Sequence, residues 1–456
     1  MEVIIFDLDN TLVDTTDCQP YLRTTHGRAL IVDKLRENEV QTRLYDPNIV
    51  DYINELSEMY HDMHVVFVTD SPNSPDCRYC ETVLDLHGFE YDNQHILSNA
   101  GKPCCEIEVF LEELAAYHDQ DFSDVRVLVI GDTAKDIHFG HYIKSPSVFC
   151  TWGTEFNVEY ITDNAMPTAV VSNLDELDEV ITDFINDDLE YEPYDFQQHF
   201  RTVRLEDTNV YTIPDANIGY ARNFIPRYRD CNTQQYRSTW FDVYYGLKPA
   251  KNRTYEQLNR NLGVPFCTNA GEINNGSNVA LKRLSGIYIL KFYEWAEDVG
   301  FEGRVALVPI PSSVPEECYH SRPMIQVSMW WEEWANAKRG LPYRIKAHQV
   351  IERWQPKKPS HKSNDARTPE AHIETLGVYL GDEANFPDDI TAVVLLDDVY
   401  TSGAQMNAVA SVLLELDMIP DNVPIYGFAF GKTTSPNPFA NIQAIIAQLN
   451  AAENEQ

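Results

Sequence analysis

The sequence predicts an α/β protein with two Rossmann-like units, each built on a parallel β-sheet. Short, largely apolar runs occupy positions 3–6, 125–130 and 393–396, and an acidic residue follows each within two positions. Such runs are typical of strands buried on both faces of a parallel sheet. Helical patterns such as residues 107–117 lie between them, and 456 residues exceed one comfortable core. We therefore expect two or three domains.

Composition and charge limit the classes of function. Hydrophobic residues make up 43% of the chain and aromatic residues 11%, as in a globular protein. There are 71 acidic and 35 basic side chains, and this net charge of −36 disfavours nucleic acid as a partner. No apolar run approaches the roughly 18 residues of a membrane span. Acidic residues interrupt the apolar start, and nine cysteines lack a disulfide-framework spacing, so we expect a cytoplasmic protein without a membrane partner.

The first candidate active site directly follows the first predicted strand. The apolar run 3–6 leads directly into Asp7 and Asp9, which stand one residue apart. Two such carboxylates suit an oxygen-ligated magnesium ion, with one acting as nucleophile and the other as acid and base. The alternative is an ordinary strand-to-turn junction with capping aspartates.

The segment 14–46 is polar and mixed, and it predicts a small cap over this site. Tyr21, Arg23, His26 and Arg28 are candidate substrate contacts within it. A surface loop and helix without contact to a ligand would give the same pattern.

Three further signals follow in chain order. The strand predicted at 64–68 ends in Thr69, whose hydroxyl can hold a phosphate oxygen. Lys102 stands just before the helix at 107–117, where a cation could reach a bound phosphate. The strand at 125–130 leads to Asp132 and then Asp136, which could complete a magnesium site.

In combination these signals resemble the haloacid dehalogenase superfamily of phosphohydrolases over residues 1–185. The residues that match its four motifs are Asp7, Asp9 and Thr11, then Thr69, then Lys102, then Asp132 and Asp136. The resemblance implies that Asp7 attacks phosphorus, while Asp9 protonates the leaving group and then activates water.

The resemblance also implies the remaining roles. Thr69 and Lys102 would hold the phosphoryl oxygens. The ligands of Mg²⁺ would be Asp7, the carbonyl of Asp9, and Asp132, with Asp136 as a support or ligand. The cap insertion is short, so a bulky substrate or a neighbouring domain would have to complete the site. Asp70, beside Thr69, is unusual because it would stand close to a phosphate.

Four cysteines permit a second metal hypothesis. Cys77 and Cys80 form a pair two residues apart, and Cys104 and Cys105 follow. The spacing lacks the second two-residue gap of zinc ribbons, so ordinary packing cysteines are the competing interpretation.

We interpret residues 186–199 as an acidic linker and 200–450 as the second domain. The arginines at 222, 227, 229 and 237 could bind a phosphate-bearing substrate or pair with the many acidic residues. Within this domain, the strand predicted at 305–310 is followed by Ser312 and Ser313. The strand at 393–396 is followed by Asp397 and Asp398, a small-residue turn and a helix.

Two acids after a strand can receive a vicinal diol, and the turn with the helix N-terminus can hold a phosphate. Together these describe a ribose 5-phosphate. The stretch closely resembles the phosphoribosyl diphosphate (PRPP) motif of type I phosphoribosyltransferases, most of all the competence-protein type, although no zinc ribbon is visible. The resemblance implies that Asp397 and Asp398 contact the ribose hydroxyls. The residues implied in binding the 5-phosphate are Thr401, Ser402, Gly403, Ala404 and Gln405, where Gln405 replaces a usual threonine.

Ser312 and Ser313 match the position of the family's pyrophosphate loop. The polar, basic segment 356–368 stands where the family has a loop that closes over the diphosphate. Its candidate contacts are Lys357, Lys358, Lys362 and Arg367, and a solvated loop is the alternative.

The predicted function is a bifunctional Mg²⁺-dependent phosphatase and PRPP-binding phosphoribosyltransferase that acts on a nucleotide or another phosphoribosylated metabolite. Its partners would be a small phosphate ester, PRPP and an unknown acceptor, and a homodimer is left open. In one alternative, the second domain senses PRPP without transfer and regulates the phosphatase. In the other, the phosphatase trims nucleic-acid ends.

Overall fold

The structure is a computed structural model. It describes residues 1–60, 62–72, 77–103, 107–278, 280–357, 368–381 and 385–434. None of the helices in these ranges is long and apolar enough to cross a membrane.

The first half of the chain forms a parallel sheet whose central strands are the predicted apolar runs. Residues 3–6 are all buried, because helices cover both faces of the sheet. The strands are β1 (Glu2–Phe6), β2 (Val13–Asp14), β3 (Arg43–Leu44), β4 (Met63–Val68), β5 (Ile96–Leu97), β6 (Arg126–Gly131), β7 (Ser147–Cys150) and β8 (Ala169–Val171). The sheet has the order β5-β4-β1-β6-β7-β8, and β2 pairs separately with β3.

The helices of this half include the predicted range 107–117, which is reproduced without change. The helices are α1 (Gln19–Leu22), α2 (Thr25–Arg36), α3 (Ile49–Met59), α4 (Tyr79–His87), α5 (Ile107–Tyr117), α6 (Ala134–Ile143), α7 (Val158–Ala165) and α8 (Leu174–Ile185).

The second half contains another parallel sheet, so the predicted fold class of two Rossmann-like units is confirmed. Its strands are β9 (Phe200–Arg201), β10 (Ile218–Phe224), β11 (Leu262–Cys267), β12 (Ile273–Asn278), β13 (Gly303–Pro309), β14 (Tyr343–Ala347), β15 (Ile351–Arg353), β16 (Leu376–Tyr379), β17 (Ile390–Tyr400) and β18 (Ile425–Thr433). The main sheet has the order β10-β18-β17-β13-β14, while β15-β16-β9 and the hairpin β11-β12 are antiparallel.

The helices of the second half are α9 (Gln234–Phe241), α10 (Leu281–Val299), α11 (Pro323–Ala337), α12 (Glu370–Ile373) and α13 (Ala404–Glu415). Residues 186–195, which lie in the predicted linker, contain neither helix nor strand. The first large sheet lies within 1–185 and the second within 200–450, and the domain limits themselves stay a prediction.

One strand is longer than predicted. The sequence places the end of the strand at residue 396, just before Asp397, whereas β17 continues to Tyr400. The extension forms because β18 supplies partners, pairing Val399 with Gly431 and Tyr400 with Lys432. Asp397 and Asp398 therefore lie on the strand itself, and the turn begins at Thr401.

The two halves share a small apolar core. Ala134, Ile137 and Phe149 of the first half are buried together with Val314 and Cys318 of the second. Because Val314 directly follows Ser312 and Ser313, this core joins the predicted pyrophosphate loop to helix α6.

Candidate active sites

The fold brings the predicted catalytic residues of the first half to one edge of its sheet. β4, β1 and β6 are neighbours in the sheet, and they run in parallel. Asp7, Thr69 and Asp132 each follow one of these strands directly. Side chains at the carboxyl ends of adjacent parallel strands converge, which explains why positions so far apart in the chain form one site.

A buried lysine lies between two of the acids. Lys102 Nζ is 2.9 Å from Asp7 Oδ1 and 2.5 Å from Asp136 Oδ1. Burial alone would lower the pKa of Lys102, but Asp136 and Asp7 raise it well above its ordinary value. The lysine is therefore a permanent cation beside two buried carboxylates.

The carboxylates of Asp7, Asp132 and Asp136 form a compact group. One oxygen from each lies within 4.8 Å of the others. Burial raises the pKa of Asp7 well above its ordinary value, although Lys102 opposes this shift. Burial and then Asp136 raise the pKa of Asp132 to about 7. Three close, buried carboxylates repel one another, so the group favours a bound cation.

Asp136 and Asp132 are held in place by local structure. Asp136 Oδ2 accepts hydrogen bonds from Thr133 N and Thr133 Oγ1, and this capping box begins helix α6. Gly131 is required here, because a Cβ atom would lie 2.2 Å from the Asp136 carboxyl carbon. Thr11 Oγ1 donates to Asp132 Oδ1 at 3.2 Å.

Asp9 lies outside this carboxylate group and receives three hydroxyl donors. Thr15 Oγ1 donates to its Oδ1 at 2.6 Å and Tyr79 OH to the same oxygen at 3.0 Å. Thr69 Oγ1 donates to its Oδ2 at 2.7 Å. Thr69, predicted to hold phosphate, thus also orients Asp9. Metal binding through the carbonyl of Asp9 stays a prediction.

Thr15 and Tyr79 were missed by the sequence reasoning. Thr15 lies just after the first motif, and Tyr79 is the first residue of α4 and is completely buried. A buried tyrosine hydroxyl needs a partner, but nothing in the local pattern indicates that the partner is Asp9.

Asp70, which looked unusual beside a phosphate site, has a positioning role. Its Oδ1 accepts hydrogen bonds from Gly101 N and Lys102 N, both at 2.8 Å. Its Oδ2 lies 3.8 Å from Lys135 Nζ. Asp70 therefore orders the loop that carries Lys102.

The predicted cap is a pair of helices, α1 and α2, and the hairpin β11–β12 of the second half packs on it. Arg23 Nη1 donates to the carbonyl of Pro265 at 2.7 Å, and Thr24 Oγ1 donates to the carbonyl of Cys267 at 3.0 Å. Arg23 and Arg28 line the cleft above the acids, whereas Tyr21 is buried in the core.

This cleft has a volume of about 370 Å³ and includes the predicted catalytic and metal residues except Asp136. A larger cleft of about 550 Å³ lies between α5, α8 and the segment 187–191, lined among others by Phe122, Arg126 and Lys144. The smaller cleft is the better candidate active site, because its lining includes the buried group of Asp7, Asp132 and Lys102 at the carboxyl ends of the central strands.

The predicted PRPP residues also meet at one sheet edge, since β13 and β17 are neighbours. Asp398 N donates to Asp397 Oδ1 at 2.8 Å. Burial and then Asp398 raise the pKa of Asp397 well above its ordinary value. The Gln405 side chain donates to the carbonyl of Pro311, next to Ser312. Gln405 thus connects the two predicted loops.

The turn between β17 and α13 has the form that the sequence predicts. Thr401 and Ser402 are exposed, and Ala404 begins the helix. Gly403 has a φ of +78°, and a Cβ atom there would lie 2.7 Å from the hydroxyl of Tyr400. A glycine is therefore needed for this turn.

The predicted pyrophosphate loop is well anchored. Ser312 Oγ donates to the carbonyl of Val314 at 2.6 Å, and its own carbonyl accepts from Arg353 Nε at 2.7 Å. Lys357 N donates to the carbonyl of Ser313 at 2.9 Å. Residues 358–367, which include Lys358, Lys362 and Arg367, lie outside the described residues.

Tyr319 connects the two sites. Lys251 Nζ donates to its hydroxyl at 2.7 Å, and Ser313 also hydrogen-bonds it. Lys135 Nζ lies 6.0 Å from the centre of the Tyr319 ring. Burial lowers the pKa of Lys251, while Asp398 opposes this. A lysine of the first cleft and a lysine beside Asp398 therefore lie on the same aromatic ring, which the sequence did not indicate.

The other basic and cysteine hypotheses have mixed outcomes. Arg222 Nη1 binds Asp242 Oδ2 at 3.0 Å, which favours acid pairing for this arginine. Cys77 and Cys80 are buried, and within the described part of the chain neither belongs to a potential metal-binding group. Cys104 and Cys105 lie outside the described residues.

Comparison with known proteins finds no family model and no curated protein that matches this chain. Solved structures are similar to about two fifths of it. A hydrolase from Pseudomonas syringae is 15% identical, with a TM-score of 0.30, over 40% of this chain and 99% of its own. A haloacid dehalogenase-like hydrolase from Streptococcus pneumoniae is 16% identical, with a TM-score of 0.27, over 39% of this chain and 97% of its own. A "predicted phosphatase" from Clostridium acetobutylicum is 18% identical, with a TM-score of 0.28, over 40% of this chain and 98% of its own. Similarity at this level identifies neither a substrate nor an activity for this chain.

Proposed function

We propose that the first site hydrolyses phosphate monoesters through an aspartyl-phosphate on Asp7. The observation that carries this proposal is the buried Lys102 ammonium, 2.9 Å from Asp7 Oδ1, at the edge of an open cleft. A nucleophilic carboxylate next to a fixed cation suits attack on a phosphoryl group, whose negative charge must be neutralised.

The reaction follows from the positions of the two acids. An Asp7 oxygen attacks phosphorus, the ester P–O bond breaks, and Asp9 gives its proton to the leaving oxygen. Asp9 then takes a proton from water, which attacks the phosphorus of the aspartyl-phosphate. Inorganic phosphate leaves, and the Asp7 carboxylate is restored. Thr15, Thr69 and Tyr79 hold Asp9 in one orientation throughout.

The three clustered carboxylates fit Mg²⁺, because this ion prefers oxygen ligands and binds through few protein carboxylates. Asp7, Asp132 and Asp136 are the residues that would hold it. When bound, the ion would neutralise the carboxylates and the phosphoryl oxygens.

We propose that the second site binds PRPP. Asp397 and Asp398 would receive the ribose hydroxyls, and the turn from Thr401 to Gln405 would receive the 5-phosphate at the N-terminus of α13. The bond from Gln405 to Pro311 supports this, because it holds that turn against the loop proposed for the diphosphate.

We further propose that the two activities act in sequence: the transferase makes a phosphoribosylated product, and the phosphatase removes a phosphate from it. The positions of Lys135 and Lys251 on the ring of Tyr319 support this order, since a polyanionic product would meet cations along the way. The sequential model fails if the transferase product is hydrolysed no faster than unrelated phosphate esters.

The deciding experiment measures pyrophosphate release from PRPP with Mg²⁺ and a panel of nucleobases and small amines. The protein carries Asp7→Asn, so that the phosphatase does not degrade substrate or product. Acceptor-dependent release establishes the transferase. Tight PRPP binding without release, together with a changed wild-type phosphatase rate, favours the sensor alternative. Neither binding nor release rejects the PRPP proposal. For the nucleic-acid alternative, the net charge of −36 predicts no salt-dependent retention of an oligonucleotide.

A further inference from the structure

Three histidines meet at the end of the first sheet opposite the acidic cleft. His64 is the second residue of β4, His95 precedes β5, and His118 follows α5. Thr69 marks the cleft end of β4, five residues beyond His64, which corresponds to about 16 Å along a strand. The histidines are therefore separate from the proposed catalytic residues.

The three imidazoles face one another closely. His95 Nε2 and His118 Nε2 are 3.2 Å apart, and the ring centres of His64 and His118 are 3.8 Å apart. One ring nitrogen from each histidine lies within 4.8 Å of the other two. Ligands of a tetrahedral zinc ion at about 2.0–2.1 Å lie roughly 3.4 Å from each other. Small rotations of the rings would therefore place all three nitrogens on one ion.

Hydrogen bonds around these rings also suit metal binding. His95 hydrogen-bonds the backbone of Val65, a contact of the kind that fixes the orientation of a metal-binding imidazole. Asp92, three residues before His95, accepts a hydrogen bond from the hydroxyl of Tyr117, the neighbour of His118, at 3.1 Å.

We propose that His64, His95 and His118 bind a zinc ion, or another nitrogen-preferring divalent transition metal, with the fourth position open to water. Imidazole nitrogens suit such ions, whereas Mg²⁺ prefers oxygen. The ion would tie together β4, the turn before β5 and the end of α5. It would thus stabilise an edge of the sheet rather than take part in phosphoryl transfer.

The experiment uses the full chain after treatment with a chelator and in excess Mg²⁺, which fills the carboxylate group. Zn²⁺ is titrated by competition with a chromophoric chelator, and Co²⁺ is added in parallel to record the visible spectrum of the site. We expect one Zn²⁺ per chain and an intense tetrahedral Co²⁺ spectrum without the near-ultraviolet band of thiolate ligation. His95→Gln and His118→Gln should each weaken Zn²⁺ binding at least tenfold.

The matched control is His87→Gln. His87 is also a partly buried histidine of the first half, but it contacts Thr42 Oγ1 at 2.8 Å, away from the other rings. It should bind Zn²⁺ as the wild type does. Thermal unfolding in chelator tests whether the variants fold, since Zn²⁺ should raise Tm of the wild type and of His87→Gln only.

Three results would overturn the proposal. One is a wild type that binds no Zn²⁺ in excess Mg²⁺. Another is unchanged Zn²⁺ binding in both His95→Gln and His118→Gln. The third is a Co²⁺ spectrum with thiolate character, which would place the ion on cysteines. If both variants fail to fold in chelator, the wild-type Co²⁺ spectrum alone decides between nitrogen and sulfur ligands.

Discussion

His138 Nε2 lies 2.5 Å from Glu317 Oε1, and both side chains are buried at the contact between the two halves of the chain. His138 stands two residues after Asp136 on α6, and Glu317 stands four residues after Ser313. The pair therefore connects the element that carries a proposed magnesium ligand to the segment that carries the proposed pyrophosphate loop.

The first prediction concerns this pair. Removing one partner leaves a buried polar group without its hydrogen-bond partner, which costs about 1–3 kcal/mol. Glu317→Ala should therefore lower the free energy of unfolding by about that amount in urea titrations. The double variant His138→Leu/Glu317→Met should lose clearly less, because no group is left unpaired. Glu159→Ala, at an exposed position on α7, is the control. Equal losses in the single and double variants would contradict this explanation.

The second prediction tests the nucleophile. Asp7→Asn should lower kcat for phosphate monoesters on the order of 10⁴-fold, since the amide cannot attack phosphorus. Asp51→Asn, at an exposed position on α3, should keep the wild-type rate. Steady-state release of inorganic phosphate measures both. Substantial activity in Asp7→Asn would remove Asp7 from the nucleophile's role.

The third prediction tests how Asp9 is held. Tyr79→Phe removes one of its three donors, and a hydrogen bond to a charged group is worth about 1.5–3 kcal/mol. We expect kcat to fall roughly tenfold to a hundredfold with alkyl phosphates. The loss should be much smaller with p-nitrophenyl phosphate, whose leaving group needs little protonation. Tyr91→Phe breaks a comparable bond to Asp85 and should have no effect on either substrate. A loss independent of the leaving group would point to a general change in the fold.

The fourth prediction concerns Lys251. Its ammonium lies near Asp398 and donates to Tyr319, so Lys251→Met should weaken PRPP binding about tenfold, or 1.4 kcal/mol. Hydrolysis of p-nitrophenyl phosphate should not change. Lys248→Met is a close match, because Lys248 Nζ lies 4.1 Å from the centre of another tyrosine ring, that of Tyr244. Calorimetric titration with PRPP compares the two, and equal affinities would exclude a role for Lys251.

The fifth prediction concerns acid stability. Burial lowers the pKa of His141 to about 4, whereas an unfolded histidine titrates near 6.5. Below pH 6.5 the unfolded chain therefore binds the proton more readily, and His141 makes the folded state lose stability as the pH falls from 6.5 to 4. In His141→Gln the free energy of unfolding should fall less steeply over this range. Urea titrations at pH 8, where both forms are neutral, give the reference, and parallel slopes in both proteins would refute the assignment.

Much of the fold was predictable because it depends on local pattern. Continuous apolar runs identified β1, β4, β6, β13 and β17, and the helical pattern at 107–117 identified α5. The polar residues that follow the strands identified most of the candidate site residues. The predicted end of β17 was wrong, because pairing with β18, not the local sequence, determines where that strand ends.

By itself the sequence determined the two parallel-sheet units. It also identified the acids and hydroxyls at the strand ends and the lysine before α5. These features were predictable because burial and turn chemistry are encoded within a few neighbouring residues. Only the tertiary structure decided which distant groups meet. It placed Tyr79 on Asp9, the hairpin β11–β12 on the cap, and Tyr319 between Lys135 and Lys251. The physical reason is that these contacts join residues far apart in the chain, and only the packing of the sheets and helices brings them within a few ångströms of each other.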